Sequence, residues 1–400
     1  MLGSADAAAR RGVISLLVAN GLMNAGFTML IPLISVYFTE TYGMTGAAIG
    51  AVLAIRQLTQ QGLMVFGGAI GDRLGHKPMI CGGYLVRAIG FLLFAVATDV
   101  PGLLLAAVVT ALGGTFFEAT AKAALASLVP PHRRADVYSL AGLVGGVGLA
   151  VGPLLGVVLL RTSFFVVGVA AATCFFLAFA LSLYLLPPLA PAEVPAGSPS
   201  ARGFGETLSV VARDRRFAVF TALQLGYWFL VNQIYISVPL LILRLTGGSD
   251  LVGAALTVQA LVAIVFQVPL VRWMSRRLAP TVGMALGLVA MGAGLGSLGL
   301  ARGDVAVLGG VFVYAVGRVV VEPIKDAVTS KLAAPGAQAA YFGFGFLALA
   351  IGGSLGNYLG GWLMDASSAP SLALLPWLVF LGVGLASAAA LARFRLERSA

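Results

Sequence analysis

Several charged side chains stand inside otherwise apolar runs of this sequence. Glu118 and Lys122 lie four residues apart in one run, and Arg318, Glu322, Lys325 and Asp326 fall close together in another. A third run carries Arg56 with Gln57, Gln60 and Gln61. A charge at the centre of a bilayer costs about 2.5–3.5 kcal/mol on insertion scales, so each of these residues invites a functional reading. A carboxylate partly shielded from water can take a proton from one side and release it to the other when access changes. Glu118, Glu322 and Asp326 are therefore the candidates for carrying protons, with Arg56, Lys122, Arg318 and Lys325 as charge partners in a polar cavity. Spacing pairs Glu118 with Lys122, and Glu322 with Arg318 or Lys325. Each residue alone is also readable as half of a neutralised helix pair that holds helices in register; the cluster exceeds that need. Four cations against three acids leave a slight positive excess, which suits an anion or a zwitterion. Arg87, within about two turns of the end of its run, reads as structural, its guanidinium snorkelling to the surface.

The elements that hold these groups are apolar helices. Sixty per cent of the residues are hydrophobic and 10% are charged, and mean hydropathy is +1.00. A soluble domain carries roughly a quarter charged residues, so this chain could not coat itself for water. A bilayer core about 30 Å thick needs about 20 apolar residues per helix. Runs at 12–38, 46–70, 79–98, 101–128, 138–160, 164–186, 217–242, 250–271, 281–301, 304–332, 340–363 and 370–392 meet that need. The 52 glycines fit too, because small residues let membrane helices approach closely. Arg10 and Arg11 precede a run that continues to about Phe38, longer than the core of a cleaved signal, so it reads as the first span.

The formal charge of +10 could suggest nucleic acid, but its distribution argues for topology. With both termini in the cytoplasm, seventeen lysines and arginines fall in cytoplasmic segments and only Arg161, Arg244 and Arg302 in outer loops. Basic residues are retained on the cytoplasmic side, which places the chain as a multi-pass protein of the cell (inner) membrane with no nucleic-acid partner. One long connection, 187–216, opens with Pro187 and Pro188 and closes with Phe204, Leu208, Val211, Arg213, Arg215 and Arg216. It reads as a cytoplasmic linker with a short amphipathic helix on the inner leaflet. It separates a bundle at 1–186 from a bundle at 217–400. The two halves repeat at an offset of 204: Glu118 matches Glu322, and Gly148, Gly152 and Gly156 match Gly352, Gly356 and Gly360. The expected fold is all-α: a polytopic membrane protein of 12 transmembrane helices in two pseudo-symmetric six-helix bundles, with a site near the midplane between them.

Several chemistries are excluded. The two histidines, His76 and His132, lie in loops, and Cys81 and Cys174 lie in apolar runs, so neither a metal site nor a cysteine–histidine site is supported. There is no phosphate-binding Gly-rich Lys-Ser/Thr loop, so transport would draw on an ion or substrate gradient rather than ATP. The chain reads as no enzyme and needs no cofactor.

Two motifs carry a family resemblance. Between the second and third runs stands the series Gly68, Gly71, Asp72, Arg73, Gly75, His76, Lys77 and Pro78. Gly75 permits positive φ for a tight turn, and Asp72 beside Arg73 and Lys77 offers a switchable ion cluster. The fifth run contains Gly148, Gly152, Pro153 and Gly156, a flat packing face with a kink. The first motif resembles the G-x-x-x-D-R-x-G-R/K loop of the major facilitator superfamily, and the second its antiporter helix motif. Residues 55–62, Ile31-Pro32-Leu33, Glu322-Pro323 and Gly360 through Leu363 are similar to multidrug-resistance transporters of that superfamily, the drug–proton antiporters. The resemblance implies alternating access and, for Asp72, a cytoplasmic gate lock with Arg73 and Arg133 or Arg134 as partners. It also implies a cavity lined by the first and seventh runs. Asn20, Asn24, Gln57, Gln60, Gln224, Tyr227, Trp228, Asn232 and Gln233 are thus candidate substrate contacts, interhelical hydrogen bonds being the plainer role. Expected partners are a small-molecule substrate, protons and the lipid bilayer, with the chain working as a monomer. The alternative is a transporter of one anionic or zwitterionic metabolite.

Overall fold

The computed structural model describes residues 4–130, 133–188, 211, 213–333 and 338–394, without the side chains of 4–6, 65–74, 119, 123, 126, 134–136, 139 and 338–340. Most of the linker, with its expected amphipathic helix, lies outside the described residues. Among those described, the regular structure is helical. The first six helices are α1 (Ser4–Tyr42), α2 (Gly46–Leu74), α3 (His76–Val96), α4 (Val100–Ser127), α5 (Arg134–Leu160) and α6 (Phe164–Leu185). After the linker come α7 (Arg215–Leu223), α8 (Leu225–Asn232), α9 (Ser237–Thr246), α10 (Asp250–Arg277), α11 (Pro280–Ser297) and α12 (Asp304–Leu332). They are followed by α13 (Gln338–Ala348), α14 (Ser354–Ala366) and α15 (Leu375–Arg393). Eleven helical stretches among the described residues are long and apolar enough to cross a membrane. α2, at 29 residues, is the twelfth long helix; Arg56, Gln57, Gln60 and Gln61 make its middle polar.

Helix ends follow from local chemistry. Asp99 accepts the Gly102 amide at 2.8 Å to start α4, and Asp214 accepts the amides of Arg216 and Phe217 at 3.1 Å to start α7. Gly75, at φ 88°, makes the turn from α2 into α3, which begins two residues before Pro78. Two runs that read as continuous are interrupted. The run 217–242 breaks at Gln224 and again at 233–236. Pro239 has no amide proton to give and its ring pushes away the carbonyl one turn back, which accounts for the second break. Gln233 fills that break, donating to the carbonyls of Phe229 (2.7 Å) and Gly356 (3.0 Å) and accepting from Ser237 (2.7 Å). A wider π turn at Leu349–Gly353 likewise divides the run 340–363.

The chain divides into two compact units, Met1–Tyr37 with Ile55–Glu193 and Phe38–Ala54 with Val194–Ala400. In the first, α3 packs on α4 and α6, with Tyr84 against Phe117 and Phe91 against Phe175 at ring separations of 4.4 and 4.7 Å. In the second, α11 packs on α12 and α15, and the buried Tyr314 hydroxyl donates to the Val231 carbonyl at 3.2 Å.

The 204-residue offset recurs in the packing of each unit. Gly148, Gly152 and Gly156 of α5 lie against the backbone carbonyls of Gly21, Ala25 and Met29 in α1. Gly352 and Gly356 lie against the carbonyls of Leu225 and Phe229, and Gly360 against the Gln233 side chain, each shifted by 204. A Cβ on Gly113 would stand 2.6 Å from the amide nitrogen of Arg87, and one on Gly317 would stand 2.7 Å from that of Met291. The α3–α4 and α11–α12 pairs therefore share one register.

The tip of the α1–α2 hairpin belongs to the second unit. Asp365, near the end of α14, accepts the amides of Gly46 and Ala47, both at 2.7 Å, so its carboxylate caps α2. Ser354 donates to the Ala54 carbonyl at 2.9 Å, and Arg244 holds the Met364 carbonyl and Ser367 beside the cap. Asp365→Ala is expected to cost about 2 kcal/mol, the upper end of capping losses. Thermal unfolding in detergent and amide exchange at Gly46 and Ala47 report it; unchanged exchange would contradict the cap.

Candidate functional site

The sequence placed Glu118 beside Lys122, and the structure gives it other partners. Arg87 of α3 reaches Glu118 with Nη1 to Oε1 at 3.3 Å, and Gln60 of α2 donates Nε2 to the same oxygen at 2.7 Å. Lys122 is exposed; its carbonyl accepts the Tyr138 hydroxyl at 3.1 Å. The reason is geometric: α3 packs closely along α4, so a buried cation on α3 reaches Glu118, whereas Lys122, one turn further along α4, points out.

Arg87 does not snorkel. Its side chain is 3% exposed, against 27% for Glu118. Its guanidinium lies over the rings of Phe27, Phe117 and Phe175 at 5.3–5.5 Å, which offsets part of the hydration it has lost. Arg56 is also buried, donates to Gln60 Oε1 at 3.3 Å and lies 5.1 Å from the Phe27 ring centre. Gln60 thus bridges Arg56 to Glu118, using its carbonyl towards the cation and its amide towards the anion. Gln57 is buried on the same helix, and Thr115 donates to the backbone carbonyl of Gln60 at 3.1 Å. This network joins α2, α3 and α4 inside the first unit.

The second unit holds the matching acids on α12. Arg318 Nε stands 3.6 Å from Glu322 Oε2, and Lys325 Nζ stands 3.1 Å from Asp326 Oδ1. Of the two partners that spacing allowed for Glu322, Arg318 is the one in contact. Lys325, largely buried, also lies 4.6 Å from the Trp228 ring centre and 5.8 Å from that of Tyr227. The Trp228 indole N–H and the Gln224 amide nitrogen are buried without a hydrogen-bond partner. Buried donors without a partner are uncommon in folded proteins, so these two are open to an acceptor.

Asn20 donates to the Ala141 carbonyl at 2.8 Å, and Asn24 donates to the Asn20 carbonyl at 2.8 Å. Asn232 donates to the Trp228 carbonyl and accepts from Asn357 at 3.1 Å. Asn20, Asn232 and, in the α8–α9 break, Gln233 tie helices together, whereas Asn24 bonds within α1. Of the loop motif, Gly75 and Lys77 are described. Gly68 is described only as helical backbone, as are Asp72, Arg73 and Arg134, whose side chains lie outside the described residues. Arg133 is exposed just before α5. Pro153 stands inside α5, between Gly152 and Gly156 on the α1-facing side. The sequence let Arg87 read as structural, because nothing along a single helix says that α3 lies against Glu118. Among the described residues, no group of three histidine, cysteine or acidic side chains could hold a metal ion.

The family model for the Major Facilitator Superfamily matches residues 16–250. The chain is 34% identical over 384 residues to a Multidrug resistance protein MdtH of Edwardsiella ictaluri (strain 93-146), covering 96% of this chain and 94% of that protein. It is 34% identical over 386 residues to the protein of the same name from Klebsiella pneumoniae (strain 342), covering 96% and 94%. In structure it is similar to the nucleoside transporter NupG, with a TM-score of 0.76 at 15% identity over 96% of this chain and 98% of that one. It is also similar to the peptide transporter POT in complex with sulfate, with a TM-score of 0.76 at 17% identity over 97% and 96%. At such identities these two solved structures speak for the fold alone.

Proposed function

We propose, from the premise that this chain belongs to the major facilitator superfamily and is a multi-pass membrane transporter rather than an enzyme, that it exports drugs or other amphipathic small molecules against proton entry by alternating access. The observation that carries this reading is the Glu118 network. A carboxylate 27% exposed, bonded to Gln60 and paired with a buried arginine, is a site that solvent can reach to load and unload a proton, with the arginine holding its charged form in the bilayer. Glu322 with Arg318, and Asp326 with Lys325, are its counterparts in the second unit. In this reading Tyr227, Trp228 and Gln224 meet the substrate, and Asp72 with Arg73 and Arg133 or Arg134 locks the cytoplasmic gate. Bundles at 1–186 and 217–400, joined by the linker 187–216, rock about the site while both termini stay on the cytoplasmic side of the inner membrane. The names of the relatives, multidrug resistance proteins, support efflux.

A second reading, transport of one anionic or zwitterionic metabolite, draws on the excess of Arg56 and Arg87 over Glu118 and on Lys325 beside Trp228. The test is the purified protein in vesicles with a trapped pH-sensitive dye and an imposed proton gradient. Under efflux, cationic dyes and fluoroquinolone-like compounds move protons. Coupling to a single metabolite would favour the second reading. Neutralising Glu118, Glu322 and Asp326 one at a time should abolish coupling in at least one case; full gradient-driven transport in all three overturns the proton assignment.

A further inference from the structure

We infer that Arg87 is the counter-cation of the Glu118 proton site, doing in the first unit what Arg318 does in the second, and that Gly114 is the residue that admits it. This rests on the reading of Glu118 as a group that exchanges protons.

The shared register of α3–α4 and α11–α12 makes position 87 the counterpart of 291, 114 of 318 and 118 of 322. Both units keep the glutamate. The arginine moves. In the second unit it grows from α12 itself at Arg318, one turn before Glu322, and the facing helix carries the uncharged Met291. In the first unit the facing helix carries Arg87, and the position one turn before Glu118 is Gly114. A Cβ on Gly114 would stand 2.6 Å from Arg87 Nη1 and 2.7 Å from Gln60 Cδ, so the guanidinium uses the volume that a side chain there would fill.

Packing at position 87 does not require a cation, since Met291 fills the equivalent place. The acid does require one, because a glutamate in the bilayer without a counter-charge is costly. The same electrostatic need is thus met twice, from different helices. The two solutions differ in burial. Arg87 is enclosed by Phe27, Phe117 and Phe175 and is 3% exposed, whereas Arg318 is 21% exposed. In the first unit the cation is the enclosed partner, and Glu118 is the one that solvent reaches. The other polar groups about Glu118 are Gln60 and Arg56 from α2, Tyr84 from α3 and the exposed Lys122 on its own helix.

The arrangement of the second unit can be transplanted into the first. In an infrared titration of the purified protein, the carboxylic-acid band lost in Glu118→Gln reports Glu118. Arg87→Met should displace the titration of that band by about one to three pH units, the effect of an opposite charge at this distance. Arg87→Met with Gly114→Arg should return it towards the wild-type position, because the guanidinium is restored from α4. Should the double variant not fold, Arg87→Lys serves in its place and should titrate close to wild type. A wild-type titration in Arg87→Met, or no return in both charge-restoring variants, overturns the inference while leaving Glu118 a proton site. A wild-type protein whose Glu118 band does not titrate overturns the proton reading itself, and this inference with it.

Discussion

Glu118→Gln, with Arg87 left in place, is expected to destabilise the protein by about 3 kcal/mol, the cost of leaving one member of a buried pair uncompensated. The direction follows from the asymmetry of the pair. Arg87 is 3% exposed and has Glu118 as its carboxylate, so loss of that charge strands a guanidinium among three phenylalanine rings. The rings return only part of the penalty, about 0.5–2 kcal/mol per cation–π contact. Adding Arg87→Met should recover most of the loss, since removing both charges also removes both desolvation costs. Denaturant or thermal unfolding in detergent of the two single variants and the double one closes the cycle. A coupling of about 2 kcal/mol or more is expected. Simple additivity would show that the pair carries no stability and that Arg87 is held by its cage alone.

The second large effect concerns the helix motif in α5. Gly152→Leu is expected to cost about 3 kcal/mol or more, at and beyond the upper end of overpacking losses. A Cβ there would stand 2.5 Å from the Ala25 carbonyl oxygen and would also strike Thr28, so α5 and α1 must part for any side chain to fit. Gly356→Leu should be similarly costly, with the Phe229 carbonyl oxygen 2.6 Å from its Cβ. Gly146, on the same helix as Gly152, has nothing within 4 Å of a Cβ, and Gly146→Leu should be tolerated. Folded yield after size-exclusion chromatography separates these cases. Equal losses at Gly146 and Gly152 would mean that helix flexibility, not close approach, sets the need for glycine.

The contrast between Gly146 and Gly152 shows where the sequence stops being informative. Spacing marks 148, 152 and 156 as one small-residue face, and the offset of 204 marks its copy. Which helix that face meets is a tertiary fact, here α1 in the first unit and α8 in the second. The break in the run 217–242 was partly legible, since Pro239 stands inside it, but Gln233 had to find Gly356 before it could fill the gap. Asp365 reads in the sequence as an acid near a loop, and only the folded chain brings it onto the amides of Gly46 and Ala47.

Hydropathy and charge distribution settled by themselves that this is an all-helical membrane protein of about twelve spans, because a bilayer demands long apolar helices with their hydrogen bonds satisfied internally. The internal repeat was legible for the same reason: duplicated helices keep their small residues and one glutamate at one offset. Pairing of the charges was decided by tertiary structure. Along one helix, Lys122 is the natural neighbour of Glu118. Across helices, the open space at Gly114 is occupied by the Arg87 guanidinium, and Glu118 pairs with this cation buried beside it rather than with the one nearest along its own helix.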